Sequence, residues 1–235
     1  MVPTTVRAAL ADQPVAGATC LEAGAGVGNT TEGLLAAGAE RVYAVTDDPT
    51  HARATRERAD DARAAVVCAD VRAMPLPDDS TELITAHALC NVLSPAALDD
   101  ALAEISRVAA PGARLVVDDY DPLPADARMR EVVALANAAS ELASGESALT
   151  FYPARHLRRC CEGWGWTVER ETTLLEPVPW TPAHVRAHRD SAREALADES
   201  NAAAAAVRDA LDDLDPTRIS GDAGRMYSLA FRRPA

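Results

Sequence analysis

ATCLEAGAGVGNTTEGLLAA, residues 18–37, holds three patterns in succession. Ala18–Ala23 reads as a buried strand, Gly24-Ala25-Gly26-Val27-Gly28 as a glycine-rich turn, and Thr30–Ala37 as a helix with Leu34 and Leu35 on one face. A strand, a glycine turn and a helix amino end in this order bind anionic or strongly polar ligands. Glycine lets the backbone approach closely, and the first helical N–H groups have no partner of their own. The dinucleotide fingerprint G-x-G-x-x-G needs glycine at position 29, where Asn29 stands.

Outward from this turn, strand and helix patterns alternate. Residues 5–12 read as a lead-in helix. Strands are expected at Arg41–Val45, Ala64–Ala69, Glu82–Ala86 and Arg114–Val117, with helices at 50–62 and Pro95–Ala109 between them. That alternation predicts an α/β fold with a parallel sheet, right-handed crossovers and helices on both faces. Beyond Asp121-Pro122 the rhythm shifts to helices at 125–143, Pro153–Glu162, 181–198 and 201–214. Strand patterns at Thr167–Leu175 and Arg225–Phe231 are interspersed with them, and the latter is expected to close the sheet. One domain over 1–235 is expected. Its ligand-binding half spans 15–120, and helical insertions at 121–152 and 180–220 shape an acceptor site.

Glu22-x-Gly24-x-Gly26-x-Gly28 resembles the first motif of class I S-adenosylmethionine-dependent methyltransferases. Four further stretches fit that family, the last two resembling its menaquinone and ubiquinone methyltransferase-like ("type 11") branch. The acids after the second strand stand where such enzymes hold ribose hydroxyls, and Ala69-Asp70-Val71 resembles the adenine-contacting motif. The proline-leucine segment before Thr81-Glu82-Leu83-Ile84 resembles the opening of the fourth strand. Ile105–Val117 resembles the helix, P-G turn and fifth strand. Together they cover residues 18–120.

The resemblance implies a Rossmann-like, seven-stranded, mostly parallel sheet whose last strand is antiparallel. It also implies S-adenosyl-L-methionine as cofactor and S-adenosyl-L-homocysteine as product, with the ligand above the carboxyl ends of the strands. The cofactor-binding residues it implies are Glu22, Gly24, Ala25, Gly26, Gly28, Thr46, Asp47, Asp70, Val71, Ala86 and His87. Thr46 occupies the place usual for the ribose acid and Asp47 follows it. Asp47 is expected to hold the ribose, while Asp47 and Asp48 also suit capping of the next helix. Glu22 is expected either to brace the cofactor's ammonium end or simply to receive backbone N–H groups.

Methyl transfer from a sulfonium is an in-line displacement governed largely by positioning. His87 is the candidate general base, against the plainer reading of a packing histidine. Eight of the nine aromatic residues lie past position 119. Tyr120, Tyr152 and Asp119 are accordingly candidates for the acceptor site, whereas Trp164, Trp166 and Phe231 are expected to pack onto the sheet. A cofactor-binding sensor without turnover is the alternative, and a nicotinamide oxidoreductase is disfavoured by Asn29.

Composition narrows the field. All 23 basic residues are arginine, so Schiff-base and P-loop lysine chemistry is excluded. A formal charge of −13 repels phosphate backbones and argues against nucleic acid, and no (N/D)-P-P-(Y/F) motif follows the fourth strand. The acidic, lysine-free composition also resembles that of proteins from salt-loving organisms. No metal site is expected: His184 and His188 are one helical turn apart but lack a third ligand. The five cysteines form no C-x-x-C pair and are read as reduced, with Cys20 and Cys68 packed as small hydrophobes. Without an apolar span or leader-like segment, a cytoplasmic protein acting on a small molecule is expected.

Overall fold

The computed structural model describes residues 1–235. In chain order the first half runs α1 (Thr4–Leu10), β1 (Thr19–Ala23), α2 (Asn29–Ala36), β2 (Arg41–Thr46), α3 (Pro49–Arg58), β3 (Ala64–Cys68), β4 (Thr81–His87), α4 (Pro95–Val108) and β5 (Ala109–Tyr120). The second half runs α5 (Met129–Ser144), α6 (Ala154–Gly163), β6 (Thr167–Leu175), β7 (Pro179–Trp180), α7 (Pro182–Ala195), α8 (Ala202–Asp213), α9 (Pro216–Ile219), β8 (Gly221–Asp222) and β9 (Met226–Arg232). No helix is long and apolar enough to cross a membrane.

Seven strands form one sheet in the order β3-β2-β1-β4-β5-β9-β6. The pairs among β1 to β5 are parallel, and β9 runs antiparallel between β5 and β6. The sheet expected from the alternation and the resemblance is therefore present, with its antiparallel strand at residues 226–232. The central strands are buried on both faces, which is why Cys20-Leu21 and Leu83-Ile84 are apolar without alternation. One core layer packs Leu21, Ile84, Leu102, Ile105, Leu115 and Phe231 beneath α4 and α6. The other packs Val6, Leu10, Leu34, Val42, Leu83 and Val116 beneath α1 and α2. Arg170 of β6 fastens α1 to this frame, donating to the Ala9 carbonyl at 3.2 Å and to Ser228 Oγ of β9 at 2.7 Å and pairing with Asp12.

The helix starts have local causes. Asp48 caps α3 by accepting from Thr50 and His51 N–H, ahead of Pro49 in the first turn. Ser94 caps α4 in the same manner, ahead of Pro95. Thr181 and His184 cap α7 reciprocally, with the His184 ring accepting from the Thr181 N–H at 3.2 Å, which gives His184 a structural role.

Several details differ from the sequence reading. Pro111-Gly112 does not close α4. The chain enters β5 at Ala109, and the pair falls where the β4–β5 register shifts. The 180–220 insertion is not purely helical, because β7 and β8 pair as a small ribbon beside α9. Cys68 is exposed at the end of the edge strand β3 rather than packed. Trp164 is 41% exposed with its indole N–H on Asp99, whereas Trp166 and Phe231 are in the core. The inserted helices α5, α7 and α8 share their own apolar layer, with Met129, Val132, Val185, Leu196 and Leu211 buried.

Candidate functional site

The carboxyl ends of β1, β2 and β3 open onto one cleft of about 250 Å³. It gathers Gly24 from the first strand-helix junction, Val45, Thr46 and Asp47 from the second, and Asp70 and Val71 from the third. Leu89, Val92 and Leu93 from the turn after β4 form an apolar wall, and Glu146 from the loop after α5 reaches its rim. Five residues expected from sequence thus meet in one cavity: Gly24, Thr46, Asp47, Asp70 and Val71.

Gly24 has φ +74°, and a Cβ there would come within 2.7 Å of Leu89 Cδ1. The cleft wall therefore requires the missing side chain. Gly28 is the left-handed N-cap of α2 (φ +79°), and a Cβ there would lie 3.1 Å from the Thr55 backbone. Gly26 and Ala25 belong to the same turn without lining the cavity. Ala25 N–H donates to the Val45 carbonyl, tying the turn to β2. Helix α3 clamps the turn from outside: Thr55 Oγ1 donates to the Gly26 carbonyl at 3.0 Å, and Arg58 Nε donates to the Val27 carbonyl at 2.8 Å. Nothing in the Arg-rich 50–62 sequence signalled these two clamps.

Glu22 lies under the turn, 2% exposed, and accepts from the Thr31 N–H at 2.7 Å and from the Thr31 hydroxyl. It thus fixes the start of α2 from within and does not line the cleft. Burial pushes its carboxyl up to about 7, against the Thr31 and Thr30 contacts that pull it down. Asp70 is half-exposed and chelated by Arg72, with Nη2 2.6 Å from Oδ2, and this pairing holds its carboxyl below the usual range. Thr46 is buried and Asp47 exposed at the cleft. The helix-capping role falls to Asp48 alone.

His87 ends β4 and, like Ala86, is not among the residues that line the cleft. Its Nδ1 lies 2.9 Å from Oδ2 of Asp118, its register partner on β5. Ala86 is buried behind it. Desolvation lowers the His87 pKa, but the Asp118 hydrogen bond and the charges of Asp118, Glu22 and Asp119 outweigh it and leave the ring above its ordinary value. Asp119 faces the other way. Fully buried, it accepts from the Asn91 N–H (3.0 Å), the Asn91 amide (2.8 Å) and the Tyr120 N–H (2.7 Å), and burial raises it to about 6. Its oxygens are committed to the protein.

Tyr152, expected at the acceptor site, is buried, with its hydroxyl on the Leu93 carbonyl (2.9 Å) and its ring stacked on His156. Tyr120 is half-buried against Phe151 and Trp180, with centroids at 6.0 and 5.5 Å. Neither lines the cleft.

A family model described as a methyltransferase domain matches residues 21–117. Over 112 residues the chain is 35% identical to the demethylmenaquinone methyltransferase of Clavibacter sepedonicus, covering 47% of this chain and 44% of that protein. Over 104 residues it is 36% identical to the malonyl-[acyl-carrier protein] O-methyltransferase of Halorhodospira halophila (strain DSM 244 / SL1), covering 43% and 35%. The matched segment thus spans less than half of either relative. Among solved structures, YcgJ of Bacillus subtilis superposes with TM-score 0.66 at 14% identity, over 99% of this chain and 98% of that one. Geranyl diphosphate C-methyltransferase of Streptomyces coelicolor A3(2) superposes with TM-score 0.62 at 17% identity, over 97% and 76%. At these identities the two structures speak to the fold alone.

Proposed function

We propose that the protein, whose residues 21–117 match a methyltransferase-domain family model, transfers a methyl group from S-adenosylmethionine to a small-molecule acceptor. The observation that carries this reading is the convergence of Gly24, Thr46, Asp47, Asp70 and Val71, from three separate strand-helix junctions, on one cleft. The donor set suits the cofactor. The wall at Gly24 is one that a Cβ would fill. The carboxylates of Asp47, Asp70 and Glu146, the hydroxyls of Thr46 and Ser94 and the Arg72 guanidinium share the cavity with an apolar wall, which suits a ligand with hydroxyls, an amine and a flat ring.

In this reading Asp47 and Thr46 hold the ribose hydroxyls, Asp70 accepts from the adenine amino group beside the Val71 N–H, and the Gly24–Gly28 turn receives the amino-acid end. Bound there, S-adenosylmethionine supplies a methyl group already activated by its sulfonium. The chain's own residues then orient and exclude water. Glu22 and Thr31 keep α2 aimed at the turn, Thr55 and Arg58 stop the turn from opening, and Leu89 and Val92 cover the apolar side. Asp119, through Asn91, fixes the segment after β4. His87, at the end of β4, is the candidate general base. The insertions at 121–152 and 180–220 shape the acceptor side, with Tyr120, Phe151 and Trp180 packed together on that side. Tyr152 and Asp119 support this side rather than touch substrate. The likeness to a demethylmenaquinone methyltransferase and the formal charge of −13 support a small acceptor over nucleic acid, and a cytoplasmic setting accords with both.

Calorimetry and thermal shift with S-adenosylhomocysteine and NAD test the reading. S-adenosylhomocysteine should raise Tm and NAD should not, and Asp70→Ala and Asp47→Ala should each weaken the former about tenfold while leaving the unliganded Tm within a few degrees. Selective stabilisation by NAD, or no response to S-adenosylhomocysteine, would discard it.

A further inference from the structure

Adjacent residues on a strand face opposite sides, so Asp118 and Asp119 have different destinations. Asp119 turns inward to Asn91 and is saturated, with bonds to both of its oxygens. Asp118 shares its side of the sheet with His87, across the parallel β4–β5 pair. It is 3% exposed, its Oδ2 meets His87 Nδ1, and its Oδ1 is buried without any partner. A buried carboxylate whose single side-chain partner is an imidazole holds that ring tightly and favours its cationic form.

The backbone reinforces the pair. Ala88, directly after His87, has φ +52°, a left-handed conformation rare for a residue with a Cβ, and its N–H donates to the Asp118 carbonyl at 2.7 Å. Strain of this kind persists where the surroundings over-determine a local geometry. Here two contacts, one through side chains and one through the main chain, lock residues 87–88 to Asp118. With Nδ1 engaged, Nε2 is the free nitrogen of a ring that keeps 20% of its side-chain surface exposed.

We propose that Asp118 is the positioning residue of a His87–Asp118 dyad whose Nε2 deprotonates a neutral, hydroxyl-bearing acceptor. The proposal deepens the methyltransferase reading and rests on it. An unprotonated amine attacks without prior loss of a proton, and a thiol ionises readily by itself. A hydroxyl is a poor nucleophile until its proton leaves, so it is the acceptor that gains from an oriented base. The charged groups that act on His87 are Asp118, which it touches, and Glu22 of β1 and Asp119 of β5 from further away, all acids, which disfavours an anionic acceptor. In the step, the acceptor O–H bond breaks and its proton goes to Nε2. The oxygen's electron pair forms the new O–CH3 bond, and the pair of the breaking S–CH3 bond stays on sulfur. The products are the methyl ether, S-adenosylhomocysteine and an imidazolium held by Asp118.

Nitrogen NMR of histidine-labelled full-length protein reads the dyad directly, with His87→Gln assigning the signal. The neutral His87 ring should carry its proton on Nδ1 and titrate above 6.5. Asp118→Asn should lower that value and move the neutral proton toward Nε2. A wild-type ring protonated on Nε2, or an Asp118→Asn variant that shifts neither, overturns the dyad, and the wild-type measurement needs no variant to fold. Labelled S-adenosylmethionine with a series of neutral phenols, and with aniline and indole for comparison, tests the acceptor class. Transfer to phenol oxygen, reduced roughly 100-fold in Asp118→Asn, is expected. Transfer to nitrogen or carbon instead, or to none of the phenols by protein that binds the cofactor, overturns the hydroxyl assignment. Failure to bind S-adenosylmethionine at all refutes the methyltransferase reading separately, and the tautomer result stands by itself.

Discussion

Thr55 Oγ1 donates to the Gly26 carbonyl at 3.0 Å, so a helix three elements along the chain governs the shape of the glycine turn. Thr55→Val keeps the volume and removes the donor. It should weaken S-adenosylhomocysteine about five-fold, equivalent to about 1 kcal/mol, with a Tm loss of only a few degrees. Calorimetry beside a melt separates the two, and an unchanged affinity would show that the clamp serves folding alone.

Gly24→Ala places a methyl group against Leu89 and forces a side chain into φ +74°. The conformational part alone costs about 1–2 kcal/mol, so affinity for S-adenosylhomocysteine should fall more than tenfold. Adding Leu89→Ala relieves the collision but not the backbone. Partial recovery in the double variant is expected, and full recovery would mean that φ is unimportant.

Glu22 binds protons more tightly folded than unfolded, about 7 against 4.5. The folded state therefore holds the extra proton between these values, and stability must fall as pH rises through that window. Asp119, raised to about 6 from 3.8, acts in the same direction over a lower range. Urea melts from about pH 4.5 to 8 should show this decline, and Glu22→Gln should flatten its upper part. A wild-type profile that rises toward pH 8 contradicts the burial argument.

The proton on His87 and the positive sulfur of S-adenosylmethionine repel each other if the dyad borders the methyl group. Raising pH through the His87 titration removes one of the two charges, and ionisation of Glu22 adds attraction of the same sign. Dissociation constants for S-adenosylmethionine should therefore fall, relative to those for uncharged S-adenosylhomocysteine, as pH rises through these two titrations. His87→Gln should remove most of the difference and Glu22→Gln the remainder. A ratio independent of pH in the wild type would place the ring away from the sulfur.

The sheet and the cleft residues Gly24, Asp47, Asp70 and Val71 were legible because each follows an apolar strand by one or two positions, a strictly local pattern. Thr55 and Arg58 were not, since their partners are main-chain carbonyls some 30 residues away, which leave no trace in side-chain chemistry. His87 and Asp118 were both visible as polar residues at strand ends. What joins them is the β4–β5 register, which depends on a shift near Pro111-Gly112 that the sequence reads as a helix stop. The ribbon of β7 and β8 was hidden for a similar reason: two short segments 40 residues apart carry no periodicity. Tyr152 stood out as one of the aromatic residues past position 119; the structure engages its hydroxyl with the Leu93 carbonyl and leaves it out of the cleft lining, a long-range contact that its sequence neighbours do not reveal.

The order of the sheet has a consequence for the chain as it leaves the ribosome. β9 follows every other strand of the sheet along the chain, yet it is the one lying between β5 and β6. Until residues 226–232 emerge, β5 presents a row of bare amides and carbonyls on one side and β6 has no neighbour. The nascent protein thus carries both unsatisfied borders from the completion of β6 at Leu175 until β9 emerges. Its vulnerable interval ends only with the insertion of a single seven-residue segment.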